Sequence, residues 1–450
     1  MTAEKPIVFI GAAGQMCALV AQRLAKVTSA PFVLTDIYTE PIEKLMQTLP
    51  PGKATARRVN LFDDHALLDT VQGAQIVILA AGPYVKTSRP VIDACLQAKV
   101  PYLDFDDDVE STLASLDRSE EAKKAGVPVY IGCGASPGMS NVMAVDVASQ
   151  LDTVQDLDIC WLVGNGTAGA GKAVLEHLMH ISAGPCLTWK EGRPVLRETY
   201  VDTTYAPMLG ETEMLLHETA HPEPVTLPRL FPNANRIQCY GGLYPDAKWG
   251  FARGLAAAVR KGTLSMTEAV DFQFNARLGQ LPATVWTQML RDYTERVPNV
   301  DISDDQILKQ MGEAGNERGP WNYATEGMIE QVENGELTRD EVADYLLSII
   351  RHQAEETLGG ILVRGVGMRN GHPAMVTKRT PTVPVDCFLL RSMATLTGTA
   401  CAAFALMVLQ GDGKDAGVFS PEDWADPAKF YKALTDLGTP VEEIAQNHVY

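Results

Sequence analysis

Two glycine-rich stretches and one histidine pair carry residue types at spacings that chemistry uses. In "GNGTAGAGKA", residues 164 to 173, Gly164, Gly166 and Gly169 spell G-x-G-x-x-G, the dinucleotide fingerprint. Gly166, Gly171 and Lys172 in the same stretch fit the phosphate loop of nucleotide hydrolases, but Ala173 stands where magnesium needs a Ser or Thr. In "IVFIGAAGQMCALVAQRL", Gly11 and Gly14 keep two glycines of a G-x-x-G-x-x-G spacing, and Cys17 replaces the third. In "HETAH", residues 217 to 221, the pattern H-E-x-x-H would on a helix set two imidazoles on one face for zinc, with Glu218 as base.

The elements around each motif decide between them. Apolar runs at 7–10, 32–35, 76–81, 102–105 and 127–132 read as buried strands, and stretches 14–27, 64–72, 88–98 and 117–125 as helices. Short Val/Ile-rich strands alternating with helices predict a parallel, doubly wound α/β sheet of Rossmann type. The Gly11 loop follows the first strand and opens a helix, and Asp36 closes the second strand. Backbone N–H groups at that helix start would face a pyrophosphate, favoured by the helix dipole. Asp36 would accept from both ribose hydroxyls and repel a 2′-phosphate, and Ile37 brings no positive charge, which predicts NAD rather than NADP. Arg57 and Arg58 are the counterweight to that preference. The 164–173 loop lacks this setting, because an antiparallel hairpin follows its helix. It is expected to hold no nucleotide, although Lys172 offers a cation to a substrate carboxylate. "HETAH" is followed at once by Pro222, which pushes His221 out of helical geometry. No metal is expected there, and His177 and His180, one turn apart, are read as lining a partly buried helix.

Beyond residue 150 the rhythm changes. Hairpins are predicted around Glu191-Gly192 and Asn370-Gly371. Between them, about 262–358, the chain is mostly helical and charged, which gives an α+β second domain with a helical insertion. In the tail, Ser420-Pro421 and Asp426-Pro427 each set a capping side chain before a helix-starting proline, and Gly438 ends a helix. The uncharged stretch Ser392 to Gly411 is read as a helix buried between layers rather than a membrane span. The formal charge of −18 argues against nucleic acid or an anionic membrane as partner. Eight scattered cysteines without a C-x-x-C pair read as reduced core residues of a cytoplasmic protein, and the N-terminus lacks the basic region of a secretory signal.

Five motifs in order carry a resemblance: "GAAGQM" with "TD" at 35–36, "VILAAGPYVKTSRPVIDACLQAKVPYLDF" (77–105), "GCGASPGMSNVMA" (132–144), "HPEPVTLPR" (221–229) and "GVFSPEDWADPAKFYKALTDLG" (417–438). The chain resembles the saccharopine dehydrogenase-like oxidoreductases, which include lysine and carboxynorspermidine dehydrogenases, over most of its length except 285–358. The resemblance implies a dinucleotide-binding domain over 1–145, completed by helices in 386–450, and a substrate and homodimerisation domain over 146–385. It implies that Gly11, Ala13, Gly14, Gln15 and Met16 cradle the pyrophosphate, with Asp36 and Ile37 at the adenosine ribose. Asn60 and Leu61 stand near adenine, where the family usually has an Asp-containing pair. Ala81, Gly82 and Pro83 would border the nicotinamide. The implied activity is NAD-dependent hydride transfer to or from a C–N carbon of an amino-acid-like substrate. Tyr84 and Asp104 are the candidates for its proton, Lys86 a weaker one. Lys172, His221 and Arg229, with Glu223, are candidates for substrate contacts. A ketone or alcohol dehydrogenase and a non-catalytic NAD-binding regulator are the alternatives, with a zinc hydrolase more distant.

Overall fold

A computed structural model describes residues 4–164, 171–200, 202–209, 212–276, 319–350, 358–381 and 392–450. Six strands arise in the first third: β1 (Ile7–Ile10), β2 (Phe32–Asp36), β3 (Ala54–Arg58), β4 (Ile76–Leu79), β5 (Tyr102–Asp104) and β6 (Pro128–Tyr130). Every residue of β1 and β4 is buried, as expected of central parallel strands covered on both faces. In contrast, β3 is the edge strand, and its "ATARR" is half-exposed, so no apolar run marks it in the sequence.

The middle of the chain forms β7 (Thr153–Gly164), β8 (Pro185–Lys190), β9 (Arg193–Glu198), β10 (Thr203–Leu209), β11 (Thr212–Glu218), β12 (Arg236–Tyr244), β13 (Leu358–Arg369) and β14 (His372–Arg379). Both expected hairpins are present. Glu191 and Gly192 have φ of 55° and 69°, Asn370 and Gly371 of 53° and 76°, the left-handed pair that a two-residue turn requires. Helices Met266–Ala276, Pro320–Glu333 and Arg339–Ile350 lie within the stretch expected to be helical, of which 277–318 and 351–357 lie outside the described residues.

The tail adds β15 (Gly417–Phe419) and β16 (Gln446–Val449). The first sheet has the order β15-β6-β5-β4-β1-β2-β3, and every neighbour in it is parallel. The second runs β10-β11-β12-β7-β13-β14-β16, with β8 also on β12, and among the described residues only its β12–β7 pair is parallel. The closing strand thus joins the second sheet, where the sequence suggested only helices. Helix Met393–Leu409 is the buried helix expected from 392–411; Ser392 caps it by accepting from Thr395 N at 3.1 Å. It lies against helix Gln15–Leu24, and a Cβ on Gly398 would stand 2.9 Å from Met16 O and from Leu19 Cβ. Among the described residues no helix is long and apolar enough to cross a membrane. The seven described cysteines are buried and free; Cys387 lies outside the described residues.

Candidate active site

The Gly11 loop is held by the strand beside it. Thr35 O, near the end of β2, accepts from both Gly11 N (2.9 Å) and Ala12 N (3.0 Å), which folds the chain sharply after β1. Gly11 has φ 88°, and a Cβ there would meet Ala80 and Ala81 backbone at 2.8 Å, so this glycine is required by the fold itself. Gly14 differs: its φ is −76° and a Cβ would find only ordinary contact, 3.4 Å from Gly11 O. Gly14 is the N-cap of helix Gln15–Leu24 and provides no side-chain cap, so the amides of Gln15 and Met16 have no acceptor within the helix. Gly14 and Gln15 are exposed. An anion fits this cradle. At the loop's flank Asp36 accepts from Ala13 N (3.2 Å) and Tyr38 N (3.1 Å), which fixes its carboxylate at the end of β2. Ile37 and Tyr38 are exposed beside it, as is Phe62, whose N–H bonds Asn60 Oδ1 at 3.1 Å; Leu61 lies between them.

At the centre of the sheet, Ala81, Gly82 and Pro83 leave the end of β4 and lead into helix Tyr84–Ala98. Thr87 Oγ1 pins this turn by donating to Ala81 O at 2.5 Å. Tyr84 packs edge-on against Phe105, ring centroids 5.9 Å apart, and its buried hydroxyl has no partner among the described residues. Burial, reinforced by Asp104, pushes its pKa well above the phenolic range. Asp104 is wholly buried and accepts from Tyr102 Oη (2.6 Å), Gly132 N (2.8 Å) and Asp106 N (3.1 Å), latching the ends of β5 and β6 together. Burial raises its carboxyl to about 6.

The sequence did not reveal what faces these loops. Helix Lys172–Ser182, from the second half of the chain, lies against the loop after β5. His177 Nδ1 is 3.1 Å from Asp108 Oδ1, and its Nε2 is 3.3 Å from Asp107 Oδ2. One turn on, His180 Nε2 is 3.1 Å from Glu110 Oε2, and Lys86 pairs with Glu176 at 3.4 Å. His177 also meets His221, ring centroids 6.3 Å apart. Burial opposes a charge on His177, but the two carboxylates outweigh it and lift its pKa to about 9. The bond to Glu110 raises that of His180.

These pairs give a pH dependence. A pKa raised above the ordinary 6.5 contributes stability that is complete below about pH 6.5 and disappears as pH rises through about 9. The difference in unfolding free energy between the unmodified protein and His177→Gln should therefore shrink between about pH 7 and pH 10, by on the order of 3 kcal/mol at most. Denaturant titrations at the two pH values measure it; a constant difference would mean that the imidazole is uncharged in the fold.

Three of the five sequence motifs meet in one buried network. From "GCGASPGMSN", Ser136 and Ser140 donate to Glu223 Oε1, Ser140 at 2.7 Å, and Asn141 Nδ2 donates to Glu422 Oε2 at 2.8 Å. From "HPEPVTLPR", His221 Nδ1 lies 2.6 Å from Glu223 Oε2, while Arg229 donates to Ser420 Oγ and, at 2.7 Å, to Asp423 Oδ2. Ser420, Glu422 and Asp423 belong to "SPED" in the tail. Their distances in sequence hide a single joint between the two sheets. Arg229 is therefore engaged with the tail, and Lys172 pairs with Asp271 at 2.5 Å; of the three residues expected to touch substrate, His221 is the one beside His177. "HETAH" forms no helix. His217 and Glu218 end β11, and His217 packs between Tyr200 and Trp249, held neutral near pKa 4 first by burial and then by Arg253. The competing loop at 165–170 lies outside the described residues.

Comparison with known proteins agrees with this geometry. Residues 7–129 match the family profile of the saccharopine dehydrogenase NADP binding domain. Carboxynorspermidine synthase of Vibrio cholerae serotype O1 is 31% identical over 123 residues, covering 24% of this chain and 29% of that protein. The chain thus spans under a third of that relative's length. The structure of apo saccharopine dehydrogenase (L-Glu forming) from Saccharomyces cerevisiae superimposes with a TM-score of 0.62 over 99% of this chain and 100% of that one, at 14% identity, which shows a shared fold. The first part of the chain is thus similar to the saccharopine dehydrogenase NADP binding domain, and the fold as a whole to that of saccharopine dehydrogenase.

Proposed function

We propose that the protein is an NAD(P)-dependent oxidoreductase acting on a C–N carbon of an amino-acid-like molecule. The observation that carries this reading is the uncapped Gly14 helix start on the same sheet edge as the Gly82-Pro83-Tyr84 turn, facing a helix that brings His177 to Asp107 and Asp108. A bound nicotinamide dinucleotide supplies hydride transfer. Gly11, Ala13, Gly14, Gln15 and Met16 would hold its pyrophosphate, Asp36 and Ile37 its ribose, and Asn60 and Leu61 its adenine. Ala81, Gly82 and Pro83 would border its reactive ring, near Tyr84 and Asp104. NAD is the preferred form, for the reason given by Asp36.

On the substrate side His221 is the nearest expected contact; Lys172 and Arg229 would have to leave Asp271 and Asp423 to join it. The name of the carboxynorspermidine synthase relative favours a C–N over a C–O carbon as the one that exchanges hydride. A cytoplasmic homodimer, with 1–145 and part of 386–450 as the nucleotide domain, completes the proposal. A spectrophotometric screen of both dinucleotides with lysine, diamines, opines and hydroxy acids tests it. Turnover is expected with an amino compound and not with hydroxy acids. Dinucleotide binding without any turnover would support a regulator instead.

A further inference from the structure

Tyr84 and Asp104 stand at the sheet edge, yet neither is well built to exchange a proton with a substrate. The Tyr84 hydroxyl is buried with no partner to relay through among the described residues, and the Asp104 carboxylate is enclosed by three donors. His177 has the missing features. Its Nδ1 is held by Asp108, whose other oxygen accepts from Val85 N at 3.4 Å, in the first turn of the helix that starts at Pro83-Tyr84. This fixes the ring relative to the turn that would border the nicotinamide. Its Nε2 lies 3.3 Å from Asp107 Oδ2, and the Asp107 side chain is 35% exposed, so Asp107 stands between the ring and solvent. A carboxylate that orients the imidazole through one nitrogen, with a partly exposed carboxylate at the other that a substrate amine can displace, is an arrangement that general acid–base chemistry can use.

We propose, resting on the oxidoreductase reading above, that His177 Nε2 exchanges the proton of the reaction, with Asp108 as its positioning residue. In reduction the Nε2–H bond of the charged imidazole breaks and its proton passes to the substrate nitrogen as hydride reaches the C=N carbon, whose π pair becomes the new N–H bond. The hydride and its two electrons are the dinucleotide's share, and oxidation reverses each transfer and starts from the uncharged imidazole. The groups around His177 are Asp107, Asp108 and Glu110 from the first sheet's loop, His221 from the second half of the chain, and Glu176 (paired to Lys86) and His180 on its own helix.

With the substrate found by the screen, His177→Gln should lose about 10²- to 10⁴-fold in kcat while NADH affinity stays within about threefold. His177→Ala should be partly restored by added imidazole, which a purely structural role would not allow. Apart from activity, the isotope-labelled imidazole signal missing from His177→Gln should shift when the amine is added to the unmodified protein. A His177→Gln enzyme that keeps kcat within about threefold overturns this inference and leaves the oxidoreductase reading intact. So does a stoichiometric zinc that His177→Gln cannot retain, because the imidazole would then be a ligand. No turnover by the unmodified protein with any of the substrates overturns both.

Discussion

NADH binding is expected to be lost in Gly14→Val and retained in Gly171→Val. Both glycines cap the start of a helix in nearly the same backbone conformation, φ −76° and ψ 147° at Gly14, φ −71° and ψ 165° at Gly171. Neither needs a positive φ, and the protein leaves room for a Cβ at both. The fold therefore makes similar demands on the two, and only a ligand can separate them. At Gly14 a side chain would fill the space through which a pyrophosphate reaches the amides of Gln15 and Met16, so NADH should weaken by at least about 100-fold, or roughly 2.7 kcal/mol. Fluorescence titration of both variants, with melting temperatures alongside, decides it. Undiminished binding to Gly14→Val would remove the cofactor from this loop.

The unmodified protein should prefer NADH over NADPH by about tenfold to a hundredfold, corresponding to roughly 1.4–2.8 kcal/mol. Asp36 is fixed by Ala13 and Tyr38 amides, and each carboxylate oxygen retains a lone pair for a ribose hydroxyl. Charge-assisted bonds of this kind contribute on the order of 1.5–3 kcal/mol each, whereas a 2′-phosphate would meet like charge. Asp36→Ala should weaken NADH and narrow the gap. The opposing residue is now identifiable. Arg57 is paired with Asp69 at 2.6 Å, but Arg58 is exposed and lies directly beside Asp36 in the β2–β3 register. The matching family profile carries NADP in its name. If NADPH instead binds more tightly, and Arg58→Ala abolishes that advantage, Arg58 rather than Asp36 sets the choice.

Burial explains what could be read from the sequence. The central strands are short apolar runs because both faces are covered, and the hairpins declare themselves through Glu191-Gly192 and Asn370-Gly371. An edge strand such as "ATARR" or a three-residue strand such as "GVF" carries no such pattern, and helix Met139–Ala148 is buried on nearly every side, leaving no stripe. Helix Tyr84–Ala98 begins four residues before the sequence suggested, since Pro90 sits in its interior rather than its first turn. The fold of the Gly11 loop was legible because strand, turn, helix and Asp36 are local. His177 was not: its partners lie 69 and 70 residues away, and "DDD" at 106–108 resembles a solvated charge run.

The position of β15 has a consequence for the order of events during synthesis. This strand adds to β6 at one edge of the first sheet, and helix Met393–Leu409 covers the helix after β1, yet both are made later than β14. Once β6 has left the ribosome, nearly 290 residues remain before Phe419 appears, on the order of 15–60 s at about 5–20 residues per second. Throughout that interval the nascent nucleotide domain offers an unpaired strand edge and an apolar helix face. Both stay uncovered until helix Met393–Leu409 and β15 are made and close over them.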